Sequence, residues 1–117
     1  MIEIDLKLRT KNFALRIIKM FGSLPKTVES QVIGKQVLRS GTSVGAQYRE
    51  ACRSRSKLEF ISKMESSLQE LDETAYWLEL LVEGDFVPAG KLSELRRETD
   101  ELTAIFVSSV KTTKLRK

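Results

Sequence analysis

Any chemistry in this chain falls to carboxylates, lysines and arginines, because its 117 residues include no histidine and a single cysteine, Cys52. Without histidine there is no ordinary general base near neutral pH, no histidine-dependent nucleophilic triad and no common zinc ligand set. The Glu-x-x-His pairs that build di-iron sites inside helical bundles are missing for the same reason. Glutamates alone could hold a hard cation, and Glu50, Glu59, Glu70 and Glu73 are the candidates. They are better explained as partners of Arg39, Arg49, Arg53 and Arg55, so neither a metal nor another cofactor is expected. The arginines around Cys52 could lower its thiol pKa. A helical cysteine beside a glycine stripe nevertheless reads as a small, buried side chain. The expectation is a protein that is not an enzyme.

What remains is charge and its placement. The net charge is only +4, but residues 6–60 carry 12 Lys/Arg against 3 Asp/Glu, and residues 61–110 carry 4 against 11. Residues 111–117 add four more cations and no acid. Two readings fit this split: attraction between halves of one bundle or between subunits, and a basic surface for nucleic acid. Under the second, the phosphate-contacting candidates are Arg9, Lys11, Arg16 and Lys19, then Arg49, Arg53 and Arg55, then Lys111, Lys114, Arg116 and Lys117. The basic faces carry no aromatic residues on which single-stranded bases would stack.

The elements that position these residues are helical. The chain is 41% hydrophobic and 31% charged, with two prolines, and it lacks strand-like alternation. Its length suits one domain over residues 1–117, long enough to bury about two-thirds of its unfolded surface. The acidic N-terminus does not read as a secretory signal. No apolar stretch reaches the roughly 20 residues that span a bilayer. A cytoplasmic protein with no membrane partner is expected.

Apolar periodicity predicts four helices, over about 6–24, 28–53, 57–83 and 88–112. The first places Leu6, Phe13, Ala14, Ile17, Phe21 and Leu24 on one face and ends at Pro25. The second follows Thr27 as its N-cap. It divides into a core stripe (Ile33, Val37, Val44, Tyr48, Ala51), a small-residue stripe (Gly34, Gly41, Gly45, Cys52), a basic stripe with Arg49 and Arg53, and a polar stripe with Arg39, Ser43 and Glu50. A glycine inside a helix costs about 0.5–1 kcal/mol against alanine. Close approach of a neighbouring helix is the preferred reason for these, with a backbone kink as the alternative. The third helix opens on a capping box, Ser56 with Glu59, and ends at Gly84-Asp85. Its core face is Phe60, Ile61, Met64, Leu68, Leu71, Ala75, Leu78 and Val82. Glu70, Glu73, Trp77 and Leu80 fall near the opposite side, with Tyr76 and Leu81 flanking. That leaves a tryptophan for a subunit interface, unless the bundle buries more of this helix. The fourth helix opens near Pro88 and buries Leu92, Leu95, Leu102, Ile105, Phe106 and Val110, with Arg96, Arg97, Glu98, Asp100 and Glu101 as solvated charges. Residues 111–117 are expected to fray. Short connections make neighbours antiparallel, so the fold class is an all-α, up-and-down, left-handed four-helix bundle.

The stretch from Leu38 to Phe60, LRSGTSVGAQYREACRSRSKLEF, and the block from Leu68 to Leu81, LQELDETAYWLELL, resemble the bacterial four helix bundle proteins, also called 23S ribosomal RNA intervening-sequence proteins. The resemblance covers nearly the whole chain. It implies a small bacterial cytoplasmic protein that assembles as a homopentamer with a central pore. It also implies relatives among the accessory proteins of diversity-generating retroelements, which bind nucleic acid and a reverse transcriptase through basic surfaces. No enzymatic activity comes with the family. Arg39, Ser43, Arg49, Glu50, Glu70, Glu73 and Trp77 fall on its motif positions. They read as a structural or interface network whose polar members must pair. Two functions therefore compete: an oligomer that binds RNA or DNA, with RNA favoured, and a scaffold or accessory subunit that binds another protein.

Overall fold

The structure, a computed structural model, describes residues 5–116. Its helices are α1 (Leu6–Gly22), α2 (Val28–Cys52), α3 (Lys57–Glu83) and α4 (Ala89–Leu115). They run up and down in chain order within an envelope of 50 × 27 × 21 Å. Neighbours in sequence pack along their lengths, α1 on α2, α2 on α3 and α3 on α4, whereas α1 and α4 come close at few points.

Local chemistry sets the ends. Asp5, Thr27 and Ser56 accept the N–H of Leu8, Ser30 and Glu59 and so cap α1, α2 and α3. The capping box is rearranged: Glu59 takes the N–H of Arg55, at 3.3 Å, one residue upstream of the cap. Pro88 lies just outside α4 in an extended conformation, and its carbonyl accepts the N–H of Lys91. At the end of α3 the left-handed residue is Asp85, with φ 63°, and not Gly84. Aspartate tolerates that region better than most side chains, and the turn closes with Phe86 and Val87 donating to the Leu81 carbonyl. The tail departs from expectation: α4 continues to Leu115, because Phe106 and Val110 keep its last turns on the core.

Between α1 and α2 the glycines serve close approach. A Cβ at Gly34 would lie 2.4 Å from Leu24 Cδ1, one at Gly41 2.8 Å from Ile17 Cγ1, and one at Gly45 3.0 Å from Thr10 Oγ1. Thr10 and Ile17 of α1, and Leu24 just past its end, thus fit at seven-residue steps into hollows along α2. Cys52 was expected to share this burial, but it is exposed. It is the last residue of α2, about two turns past Gly45, at the level where α1 begins.

Between α2 and α3 the seam is made of small hydroxyls. Ser40 Oγ and Thr74 Oγ1 lie 2.8 Å apart, Thr74 donates to the Glu70 carbonyl, and Ser67 donates to the Val44 carbonyl at 3.0 Å. The core register of α3 is consequently Met64, Ser67, Leu71, Thr74, Leu78 and Leu81, all fully buried. Leu81, assigned to a flank from the sequence, belongs to the core. Trp77 is half-buried against that core, so it packs within the bundle. Its indole Nε1 is buried without a partner.

Gly41→Ala should overpack Ile17, a cost of about 1–3 kcal/mol set against a gain of up to about 1 kcal/mol in helix propensity. Gly22→Ala, where a Cβ meets nothing within 4 Å, should keep the gain alone. Urea denaturation of the two variants is expected to give opposite signs.

Candidate nucleic-acid interface

The up-and-down topology sorts the cations. One half of the bundle is built from the start of α1, the end of α2, the start of α3 and the end of α4. Its residues 5–14, 40–70 and 102–116 include eleven Lys/Arg and five Asp/Glu. The other half, residues 15–39 and 71–101, includes eight and ten. Arg49, Arg53 and Arg55 at the α2–α3 turn are therefore brought to the same end as Lys111, Lys114 and Arg116, over 50 residues away in sequence, and all six are exposed. The two groups are tied together by Lys57, whose Nζ donates to the Arg116 carbonyl.

Not every sequence candidate is free or well placed. Arg9 is committed to α4: Nε and Nη2 donate to Glu98 at 2.8 and 2.7 Å, and Nη2 also reaches Glu101 at 2.9 Å. Glu98, expected to be solvated, has a side chain only 14% exposed. This fork ties α1 to α4 across the seam where their backbones stand apart. Lys114 lies 3.7 Å from Glu65. Arg16 and Lys19 are exposed but lie toward the opposite end, with Lys91, around a cleft of about 670 Å³ floored by Met20, Leu24, Leu92 and Leu95. Lys11 is exposed on the basic half. Lys117 lies outside the described residues. Among the described residues Arg49, Arg53 and Arg55 have no carboxylate within 4 Å, although the sequence pattern paired them with glutamates; Glu50 instead meets Lys63 at 3.0 Å.

The polar residues of the motif lie inside one protomer, along the α2–α3 seam. Arg39 meets Glu73 at 3.0 Å and Glu70 at 3.6 Å. Ser43 donates to the Arg39 carbonyl. Burial, and then a hydrogen bond with Glu73, push the Glu70 carboxyl above the usual range, against the opposing pull of Ser43 and Arg39. Arg9 does the reverse at Glu98: its hydrogen bonds hold that carboxyl below the usual range. Burial pushes the Tyr48 phenol, which packs edge-on against Phe106, up to about 12, helped by the neighbouring Cys52. A phenol held that high stays protonated near neutral pH.

Sequence reasoning missed two residues of the basic end. Lys57 was absorbed into the capping box and Phe60 into the core. Phe60 is half-buried and lines a groove with Lys57, Ser109, Thr112, Thr113 and Arg116, which corrects the expectation that no aromatic side chain lies beside the cations. Only the nearness of α4's last turns to α3's first turn reveals the groove, and no local signal encodes that.

The two shifted carboxyls make an opposed pair of pH predictions. Glu98, held low, adds stability above about pH 4.3, and that stability fades as pH falls through its lowered value. Glu70, held high, loses stability on ionising as pH rises from that same range through its raised value. Glu98→Gln should cost about 1–2 kcal/mol at pH 7, with the gap to wild type closing below about pH 4. Glu70→Gln should cost nothing at pH 7 or stabilise, and its advantage should vanish on acidification. Thermal melts from pH 3 to 7 check both, and parallel behaviour of the two variants would contradict the assignment.

Comparison with known proteins agrees with this architecture. The family model described as "23S rRNA-intervening sequence protein" matches residues 3–108. A crystal structure from Bacteroides thetaiotaomicron, a protein with unknown function from the S23 ribosomal protein family, superposes with a TM-score of 0.84 at 35% identity, covering 90% of this chain and 97% of that one. No curated protein matches. On its helices, its motif and this match over most of its length, the chain belongs to the 23S rRNA-intervening sequence protein family.

Proposed function

We propose that this is a non-catalytic, self-associating protein that binds nucleic acid, RNA in preference, through the basic end of its bundle. The observation that carries the reading is the convergence of Arg49, Arg53 and Arg55 with Lys111, Lys114 and Arg116. Such a cluster contacts phosphates, and its binding energy comes from released counterions, without reading sequence. The family's name, which refers to 23S rRNA, supports RNA.

Self-association draws support from two complementary surfaces. Leu8, Leu15 and Ile18 form a stripe on the outer side of α1, each about half exposed (49%, 55% and 49%), with the cations Lys11 and Lys19 beside it. The outer groove between α3 and α4 is lined by Asp72, Ala75, Tyr76, Glu79 and Asp100, with Arg96 as its one cation. An apolar, basic stripe meeting an acidic groove that offers Ala75 and Tyr76 on the next copy is a heterologous contact, and such contacts close into rings when the rotation permits. A homopentameric ring is our reading of the assembly. No helix among the described residues is long and apolar enough to cross a membrane, and the proposal places the protein in the cytoplasm.

A second reading, a scaffold for another protein, rests on the cation-rimmed apolar cleft between α1 and α4. It takes over if nucleic-acid binding is negligible at low salt.

Two measurements test the main reading. Each lost phosphate contact lowers the slope of log affinity on log salt by about 0.7 for single strands. Combined alanine substitution of Arg49, Arg53 and Arg55 should thus flatten the slope by about 2 and weaken binding at every salt concentration. An unchanged slope would move the site elsewhere. Leu15→Glu with Ile18→Glu should reduce the sedimenting mass to that of a monomer while helical circular dichroism is retained. A variant that still assembles would exclude the α1 stripe.

A further inference from the structure

Resting on the nucleic-acid reading, we infer that the groove between the first turn of α3 and the last turns of α4 receives an unpaired base, so that the protein prefers single-stranded to duplex nucleic acid. The groove is open, of about 530 Å³, and is lined by Lys57, Phe60, Ser109, Thr112, Thr113 and Arg116. A nucleotide outside a duplex offers an aromatic face, a hydrogen-bonding edge and a phosphate, and the lining matches each in kind. Phe60 is the aromatic surface. It packs against the core while also lining the groove, so it is held in place before a base arrives. Stacking on such a ring is tolerant of base identity because every base has a π-face.

The base edge meets hydroxyls. Thr113 Oγ1 donates to the Ser109 carbonyl at 2.8 Å, which fixes its orientation and leaves its lone pairs to accept. Neither the Ser109 nor the Thr112 hydroxyl is among the hydrogen bonds of the described residues, so both are available to donate. Two cations complete the lining. Lys57 is anchored by its bond to the Arg116 carbonyl, and the exposed Arg116 side chain is placed to meet a phosphate. Arg53, Arg55, Lys111 and Lys114, on the same end of the bundle, supply charge for the phosphates on either side. A purely apolar ligand would cover the Ser109 and Thr112 hydroxyls without pairing them, which is costly. A duplex keeps its base faces stacked inside and cannot present one to Phe60.

The test compares a fluorescein-labelled, 20-nucleotide oligouridine with a blunt-ended RNA duplex of similar charge, by anisotropy at fixed salt. Phe60→Leu is expected to weaken oligouridine binding about tenfold and to leave the duplex unchanged. Phe60→Tyr, which keeps the ring, should restore binding. Equal losses on both probes, or no loss on oligouridine, would overturn the groove assignment while leaving the basic end intact. If the wild-type protein binds neither probe at low salt, the nucleic-acid reading itself fails. Should Phe60→Leu lose helical circular dichroism, photo-crosslinking of 5-iodouridine RNA to the wild-type chain decides instead: a crosslink at Phe60 supports the groove, and crosslinks confined to other residues remove it.

Discussion

Helix α2 lies close to α1 because the flank between them carries almost no side chain, and it meets α3 through small hydroxyls; the rest of the bundle is arranged around that approach. Toward α1 the flank is Gly34, Gly41 and Gly45, into which Leu24, Ile17 and Thr10 fit. Toward α3 it is Ser40 and the Val44 carbonyl, matched by Thr74 and Ser67. Small residues let backbones approach closely, and close backbones gain dispersion contacts and fix register. The helix-propensity penalty of the glycines is offset by that packing. α1 and α4 stand apart, joined by the Arg9 fork and open at the cleft beyond it.

The same geometry controls where charge can act. Arg9 is drawn into a structural fork with Glu98 and Glu101, and Arg39 into a bridge with Glu70 and Glu73. Their charges are largely neutralised by partners in the same protomer, so they contribute little to the field outside. Solvated cations also lie along the helices, at Lys11, Arg16 and Lys35, but they gather at helix termini, where turns project side chains away from the core. Alternating helix direction then stacks two such termini, at residues 49–57 and 111–116, at one end. A modest net charge of +4 becomes a concentrated field there, and electrostatic association responds to local concentration of charge rather than to the sum.

How much was legible from the residues alone follows from the range of each interaction. Helix number, order and approximate ends came from patterns spanning a few residues: the Thr27 cap, the Ser56 cap, the stop before Pro25 and apolar spacing of three and four. The glycines announced a close neighbour for the same reason, since an unexplained local penalty implies a tertiary gain. Leu81, Trp77 and Cys52 were misplaced because their burial depends on how far a neighbouring helix extends and how it is rotated. The α3 register was shifted because Ser67 and Thr74 look polar until the Val44 carbonyl and the Ser40 hydroxyl of α2 are set beside them.

The sequence by itself determined the four helices, their caps, the charged and apolar stripes along them, and the absence of histidine chemistry, because each is a property of residue type or of spacing within one helix. Only the tertiary structure decided which arginines are consumed by ion pairs, that α4 carries its basic residues as far as Leu115, and that Phe60 borders a groove at the cationic end. Those features join residues 34 to 92 positions apart, and such contacts exist only once antiparallel packing has brought the helix termini together.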